Sequence, residues 1–137
     1  MLINEEVKSL YLEIAKRLHA IYDRLIDEYT TILEDIPRNF QDIVDTIDKP
    51  IILYFTAKWC APCISIQETI REVARIFKGK AYFFKVDVDK DIGIAENYNV
   101  EYIPATLIIV EGEVVDRVYG VITSKNLESR ILRLISS

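Results

Sequence analysis

Two cysteines, Cys60 and Cys63, are the residues of this chain best suited to chemistry, and they stand three positions apart. They are the only cysteines among the 137 residues, so they cannot crosslink distant segments of the chain. A reducing cytosol would not keep an ordinary structural disulfide closed. The pair therefore indicates reversible thiol–disulfide exchange rather than a structural crosslink.

The spacing of the pair has a physical rationale if Cys60 lies at the start of a helix. Free backbone N–H groups and the positive end of the helix dipole then stabilise a thiolate at Cys60, the species that attacks a disulfide. Cys63 lies one turn further on, close enough to displace a mixed disulfide and release the reduced client protein. Pro62 fits this position because the N–H groups of the first helical turn have no intrahelical partner.

Other sites can also contain two cysteines at this spacing. A zinc site needs four ligands, and the chain offers two cysteines and one histidine. We therefore expect no metal and no bound organic cofactor. A metal cluster shared between two chains and a pair of buried, inert cysteines are the remaining alternatives. The flanking residues Trp59 and Pro62 and the strand before them argue against an inert pair.

The elements around the cysteines are predicted to alternate between strands and helices. Residues 51–55 are apolar at every position, β-rich and few in number, which is typical of a central strand buried on both faces. Helical spacing continues from Cys63 to Gly79, a natural end for a helix. The remaining predictions are strands over 82–88, 106–110 and 114–119, a helix over 91–98, and a last helix capped by Thr123 or Ser124. This order predicts an α/β domain whose central mixed sheet is flanked by helices.

The first 29 residues are predicted to form a long amphipathic helix, because their apolar residues recur at steps of three and four. These residues are Ile3, Val7, Leu10, Tyr11, Ile14, Leu18, Ile21, Tyr22, Leu25 and Tyr29. Residues 30–33 could extend the helix or form a short strand that ends before Pro37, and we favour the strand. Asn39 is a candidate N-cap for a short helix. We therefore divide the chain into a helix, 1–29, and a domain, 30–137.

The charge of the chain bears on its partners. The formal net charge is −5, and acidic residues are interspersed with basic ones along the chain, which argues against a nucleic-acid surface. Charged residues interrupt residues 1–20, so this stretch resembles neither a signal peptide nor a membrane span. We expect a cytoplasmic protein with no nucleic-acid or membrane partner.

Two separate motifs are similar to those of the thioredoxin family. The stretch Trp59-Cys60-Ala61-Pro62-Cys63 resembles the family pattern Trp-Cys-Gly-Pro-Cys, and Ile103-Pro104-Ala105 resembles Ile-Pro-Thr. The resemblance covers residues 30–137. It implies a thioredoxin fold and a thiol–disulfide oxidoreductase that reduces protein disulfides through a mixed disulfide at Cys60. It also implies that thioredoxin reductase, or an equivalent donor, supplies the electrons.

Roles for other residues follow from their matched positions in the family. Pro104 is expected to follow a cis peptide bond and to bring its loop against the dithiol. Ile103 would offer its backbone to an extended client. The resemblance implies that five residues surround Cys60 with a shallow apolar surface for clients. They are Trp59, Ala61, Pro62, Ile103 and Val121. The alternative for Trp59 is ordinary core packing.

The chain departs from the family pattern beneath the resolving cysteine. Tyr54 stands where thioredoxins usually bury an aspartate, and a phenol, which titrates near pH 10, is a poor base at pH 7. Deprotonation of Cys63 is therefore predicted to be slower than in typical relatives. Lys85 matches the lysine that faces the aspartate, and it could bond the Tyr54 hydroxyl or reach toward Asp87. Ala61 replaces a glycine, which restricts the backbone between the cysteines.

Three rival readings stay open at this point. The same residues could run as a disulfide oxidase or isomerase, because the reduction potential depends on electrostatics at the helix end. The chain could instead be a binding module that its N-terminal helix recruits to one partner. The same helix could pack back on the domain and enlarge its core, or it could form a homodimer.

Overall fold

The computed structural model describes the backbone of residues 5–29 and 33–135, and the side chains of these residues except 19 and 22–29. The chain divides into two compact units, residues 1–31 and 32–137. The first unit contains the helix α1 (Glu5–Tyr29), so the predicted N-terminal helix is present. Ile3 lies outside the described residues. Within the described residues, we find no helix long and apolar enough to cross a membrane.

The second unit alternates strands and helices in the predicted order. Its elements are β1 (Leu33–Asp35), α2 (Phe40–Ile43) continued by a 3-10 turn (Val44–Thr46), β2 (Ile51–Thr56), α3 (Ala61–Ile76), β3 (Tyr82–Asp87), α4 (Ile92–Asn97), β4 (Ala105–Val110), β5 (Glu113–Tyr119) and α5 (Ser124–Ile135). The strands form one sheet in the order β1-β3-β2-β4-β5. The first three pair in parallel, whereas β4 and β5 pair antiparallel. The predicted mixed α/β sheet is confirmed.

The central strand β2 is buried at all six positions, as its continuous apolar sequence predicts. Its alternate side chains point to opposite faces of the sheet. Ile52 and Tyr54 pack in a core with residues of α3 and α5. Leu53 and Phe55 pack in a second core with residues of α2 and α4. The sheet therefore has two covered faces, which we call the α3/α5 face and the α2/α4 face.

Some element boundaries differ from the sequence prediction. The first strand begins at Leu33, the last of the four residues predicted for it, and residues 30–32 lie outside the described residues. Asn39 occupies the N-cap position of α2, but its side chain makes no capping hydrogen bond. At α5, the Thr123 hydroxyl accepts a hydrogen bond from the backbone N–H of Asn126 at 3.2 Å, so Thr123 is the cap.

Candidate redox site

Three loops meet at the edge of the sheet where β2 ends. Strand β4 runs antiparallel to β2, with Ala105 opposite Phe55, so the loop before β4 lies beside the loop after β2. Strand β5 pairs with β4, with Tyr119 opposite Ala105, and the chain leaves β5 at the same edge. The backbone N–H of Gly120 donates to the carbonyl of Pro104 at 2.7 Å and joins two of the loops. The topology therefore gathers the cysteine motif and the proline motif.

The cysteine pair begins α3. Cys60 is the N-cap residue of this helix, Cys63 lies in its first turn, and the two form a disulfide. The backbone N–H of Cys63 donates to the sulfur of Cys60 at 3.2 Å. Cys63 is fully buried, and Cys60 is 5% exposed. The predicted position of Cys60 at a helix start is confirmed, and a helix N-terminus favours negative charge at this sulfur.

The proline motif lies in the second loop. The Ile103–Pro104 peptide bond is cis, as expected. Pro104 is buried, whereas Ile103 is partly buried and packs against the core on both faces of the sheet. The backbone N–H of Ile103 has no hydrogen-bond partner among the described residues.

The remaining predicted surface residues are exposed around the disulfide. Trp59 is 69% exposed and Val121 is 65% exposed, and Ala61 and Pro62 are exposed as well. The exposure of Trp59 excludes ordinary core packing as its role. Its indole N–H donates to the carboxylate of Asp89 at 2.8 Å. Sequence reasoning missed Asp89, although this residue follows β3, whose carboxyl end lies beside that of β2.

Tyr54 lies beneath the disulfide on the α3/α5 face. Its side chain is fully buried, and its hydroxyl donates a hydrogen bond to the backbone carbonyl of Cys63. Burial raises the pKa of the Tyr54 phenol above its ordinary value near 10, and a hydrogen bond with Thr56 opposes that shift. The phenol is therefore neutral at pH 7, and it contacts the backbone of Cys63.

Comparison with known proteins agrees with this geometry. The thioredoxin family model matches residues 30–133. The chain belongs to the thioredoxin family. A thioredoxin of Chlorobaculum thiosulfatiphilum is 35% identical over 98 residues, which cover 72% of this chain and 91% of that protein. A chloroplastic thioredoxin of Arabidopsis thaliana is 34% identical over 93 residues, which cover 68% of this chain but only 54% of the plant protein.

Solved structures give the same assignment. The thioredoxin of Malassezia sympodialis is similar in fold, with a TM-score of 0.66 and 29% identity, covering 77% of this chain and 91% of that one. Family membership and the cysteine pair make this protein a thiol–disulfide oxidoreductase with protein-disulfide reductase activity. Its redox group is the Cys60–Cys63 disulfide or dithiol, as in other thioredoxins, which need no bound cofactor.

Lys85 does not contact either of the two groups expected for it in this thioredoxin. Its ammonium pairs with the carboxylate of Asp35 at 3.5 Å, so the expected contacts with Tyr54 and Asp87 are wrong. Asp35 lies directly opposite Lys85 in the β1–β3 register. Strand β1 lies at the edge of the sheet, so the charged groups of Lys85 and Asp35 stay partly in water. Partial exposure costs less free energy than burial of the two charges. The Tyr54 hydroxyl meanwhile bonds the Cys63 carbonyl.

Thr106 is another buried polar residue on the α3/α5 face, and sequence reasoning missed it. It lies opposite Tyr54 in the β2–β4 register and is 1% exposed. Its hydroxyl finds no hydrogen-bond partner in the described structure. The signal was a threonine within the otherwise apolar residues 105–110.

No three His, Cys, Asp or Glu side chains in the described ranges are grouped so that they could bind a metal ion.

Proposed function

We propose that the Cys60–Cys63 pair reduces the disulfides of client proteins in two exchange steps. The Cys60 thiolate attacks a client disulfide, forms a mixed disulfide and expels one client thiolate. The Cys63 thiolate then attacks the Cys60 sulfur, which releases the second client thiolate and closes the Cys60–Cys63 disulfide. Two electrons pass from the dithiol to the client. Thioredoxin reductase, or an equivalent donor, returns two electrons to the disulfide.

The position of Cys60 at the N-cap of α3 is the observation that carries this assignment. Its sulfur accepts the N–H of Cys63, and this contact supports a thiolate at Cys60 after reduction. Cys63 has no exposed surface, whereas the side chains next to Cys60 are exposed. Cys60 therefore attacks the client and Cys63 resolves the mixed disulfide.

We assign client binding to the apolar surface around Cys60. Its members are Trp59, Ala61, Pro62, Ile103 and Val121. The exposure of Trp59 and Val121 supports this assignment, because large exposed apolar side chains beside a reactive group suit an unfolded-like peptide. The free N–H of Ile103 suits backbone pairing with an extended client, and Pro104 fixes the loop that presents it.

Tyr54 is assigned a positioning role instead of the proton transfer that a buried carboxylate would perform. Its neutral phenol cannot accept a proton from Cys63 at pH 7, so water or another carboxylate must assist. The hydrogen bond to the Cys63 carbonyl fixes the first turn of α3 above β2. Resolution of the mixed disulfide is therefore slower than in relatives with a buried aspartate. Because Lys85 pairs with Asp35, we assign it no part in this step.

Trapping the intermediate tests the two-step exchange. When the reduced variant is mixed with intact, labelled insulin, Cys63→Ser should accumulate a mixed disulfide between Cys60 and one insulin chain as the other insulin thiolate leaves, whereas Cys60→Ser should give none. Both variants should lose NADPH-coupled insulin reduction in the presence of thioredoxin reductase, since each removes one half of the dithiol. Ser65→Ala, which changes an exposed hydroxyl on the same helix, is the matched control. Adduct formation by Cys60→Ser alone would reverse the assignment of the two cysteines.

We further propose that residues 30–137 carry the redox activity in the cytoplasm, within cellular electron transport and redox homeostasis, and that helix 1–29 is an added element. A chain that starts at Thr30 should then reduce insulin at the rate of the full chain. Loss of that activity in a folded truncation would instead make the helix part of client recruitment. Light scattering of both chains tests the alternative of a homodimer, which predicts a dimer for the full chain and a monomer for the truncation.

A further inference from the structure

We propose that Tyr102 and Tyr119 form an aromatic platform that extends the client surface and selects clients with an aromatic side chain close to the disulfide. The inference rests on the proposed function, because the platform acts on the same bound client. Neither tyrosine belongs to the apolar surface assigned above. Both are exposed, Tyr102 at 68% and Tyr119 at 41%.

The two rings contact each other edge to face. Their centroids are 5.9 Å apart and their planes are 89° apart, a favourable arrangement for an aromatic pair. The Tyr119 hydroxyl donates to the carbonyl of Asn99 at 3.3 Å and accepts from the guanidinium of Arg117 at 3.4 Å. These contacts fix the Tyr119 ring on the sheet. The more exposed Tyr102 ring therefore rests on an anchored partner and needs little ordering when it binds a ligand.

The platform adjoins both loops that flank the disulfide. Tyr102 directly precedes the Ile103–Pro104 bond, and Tyr119 directly precedes Gly120. The hydrogen bond from Gly120 to Pro104 joins the two loops just beyond the ring pair. The ring pair thus directly precedes, in the chain, the two loop segments that carry Ile103 and Val121 of the proposed client surface.

The proposed occupant is an extended segment of the disulfide client. A segment that pairs with the free N–H of Ile103 must pass Tyr102, the preceding residue in the chain. Each residue of such a segment advances by about 3.3 Å, so a side chain within a few residues of the client cysteine reaches the platform. Aromatic side chains gain most there, because they can add a further edge-to-face contact to the two rings.

Six pairs of disulfide peptides test the selection with the full chain. The two peptides of a pair differ only in phenylalanine or alanine at one of the three positions on either side of one cysteine. The wild-type chain should reduce the best phenylalanine peptide with a kcat/KM about threefold to tenfold above that of its alanine counterpart. Tyr102→Ala should abolish this preference, and Tyr102→Phe should retain it because the ring remains.

Tyr82→Ala is the matched control, since Tyr82 is also an exposed tyrosine but begins β3, at the opposite end of the parallel strands from Cys60. It should keep the full preference. A Tyr102→Ala chain that still prefers phenylalanine would overturn the platform, and so would a wild-type chain that reduces the two peptides of every pair equally well. A wild-type chain that reduces none of the peptides would instead contradict the proposed function itself.

Discussion

The two faces of the five-stranded sheet bury different kinds of side chain. The α3/α5 face contains the disulfide and Tyr54, and it also contains Thr106, which lies opposite Tyr54 in the β2–β4 register. The α2/α4 face has an aromatic centre, where the Phe40 ring contacts Phe84 at 5.9 Å and Tyr98 at 6.4 Å between centroids. The Tyr54 hydroxyl that contacts Cys63 thus lies on the α3/α5 face, whereas the Tyr98 phenol lies on the α2/α4 face. The α2/α4 face contributes apolar packing, which stabilises the sheet that presents the loops.

Removing the aromatic centre should have the largest effect, and the effect should be on stability. Phe40 is fully buried, so Phe40→Ala should lower the free energy of unfolding by about 3–5 kcal/mol through lost burial and an unfilled cavity. The reduction potential of the folded variant should stay that of the wild type. Denaturant unfolding and redox titration measure the two quantities, with the milder Phe40→Leu as control. A shifted potential would show that the faces are not independent.

Changing the polar group beneath the disulfide should have a smaller effect, this time on kinetics. Tyr54→Asp introduces a carboxylate that can accept the Cys63 proton, so resolution of the mixed disulfide at pH 7 should accelerate on the order of tenfold or more. Stopped-flow Trp59 fluorescence in a single turnover follows this step. Tyr54→Phe, which removes only the hydroxyl, should not accelerate it. An unchanged rate in Tyr54→Asp would contradict the role given to the phenol.

The smallest effect concerns stability at high pH, where each face contributes one buried tyrosine. Burial is the main cause that raises the pKa of both Tyr54 and Tyr98. The folded state then favours the protonated phenols, and this stabilisation is complete below the unfolded value, near pH 10, and is lost as pH rises through the folded value. The free energy of unfolding should therefore fall above about pH 10.

Phenylalanine at either position should reduce that fall, as measured by urea unfolding between pH 8 and about 11. Only Tyr54→Phe should also remove a hydrogen bond at the redox site, the one from the Tyr54 hydroxyl to the Cys63 carbonyl. Tyr98 lies on the α2/α4 face, away from that contact. A fall of the same size in both variants and the wild type would exclude these two phenols as its source.

The fold could be predicted where the residue pattern of a segment matches the burial of that segment in the folded domain. The apolar residues 51–55 could only be a central strand, and the two motifs located the disulfide and the cis-proline loop. The partner of Lys85 could not be predicted, because Asp35 meets it only through the β1–β3 register, and β1 has one buried residue among its three. The contact between Trp59 and Asp89 joins two loops, and no short-range pattern encodes it.

The chemistry beneath the disulfide was predictable only in part. The sequence indicates that Tyr54 replaces a carboxylate, but the acceptor of its hydroxyl depends on how α3 lies over β2. Thr106 belongs to a strand that is buried and otherwise apolar, so its place opposite Tyr54 follows from the pairing of β2 with β4. Such contacts depend on tertiary packing rather than on the spacing of residues.

The most direct test of the proposed reductase is the equilibrium reduction potential of the Cys60–Cys63 pair. Trp59, the only tryptophan in the chain and the neighbour of Cys60, reports the redox state by fluorescence in dithiothreitol or glutathione buffers, with Cys63→Ser as control. We predict a potential below that of the cytosolic glutathione pool, under about −260 mV on the biochemical scale. A potential well above about −220 mV would contradict the reductase and favour a disulfide donor or isomerase.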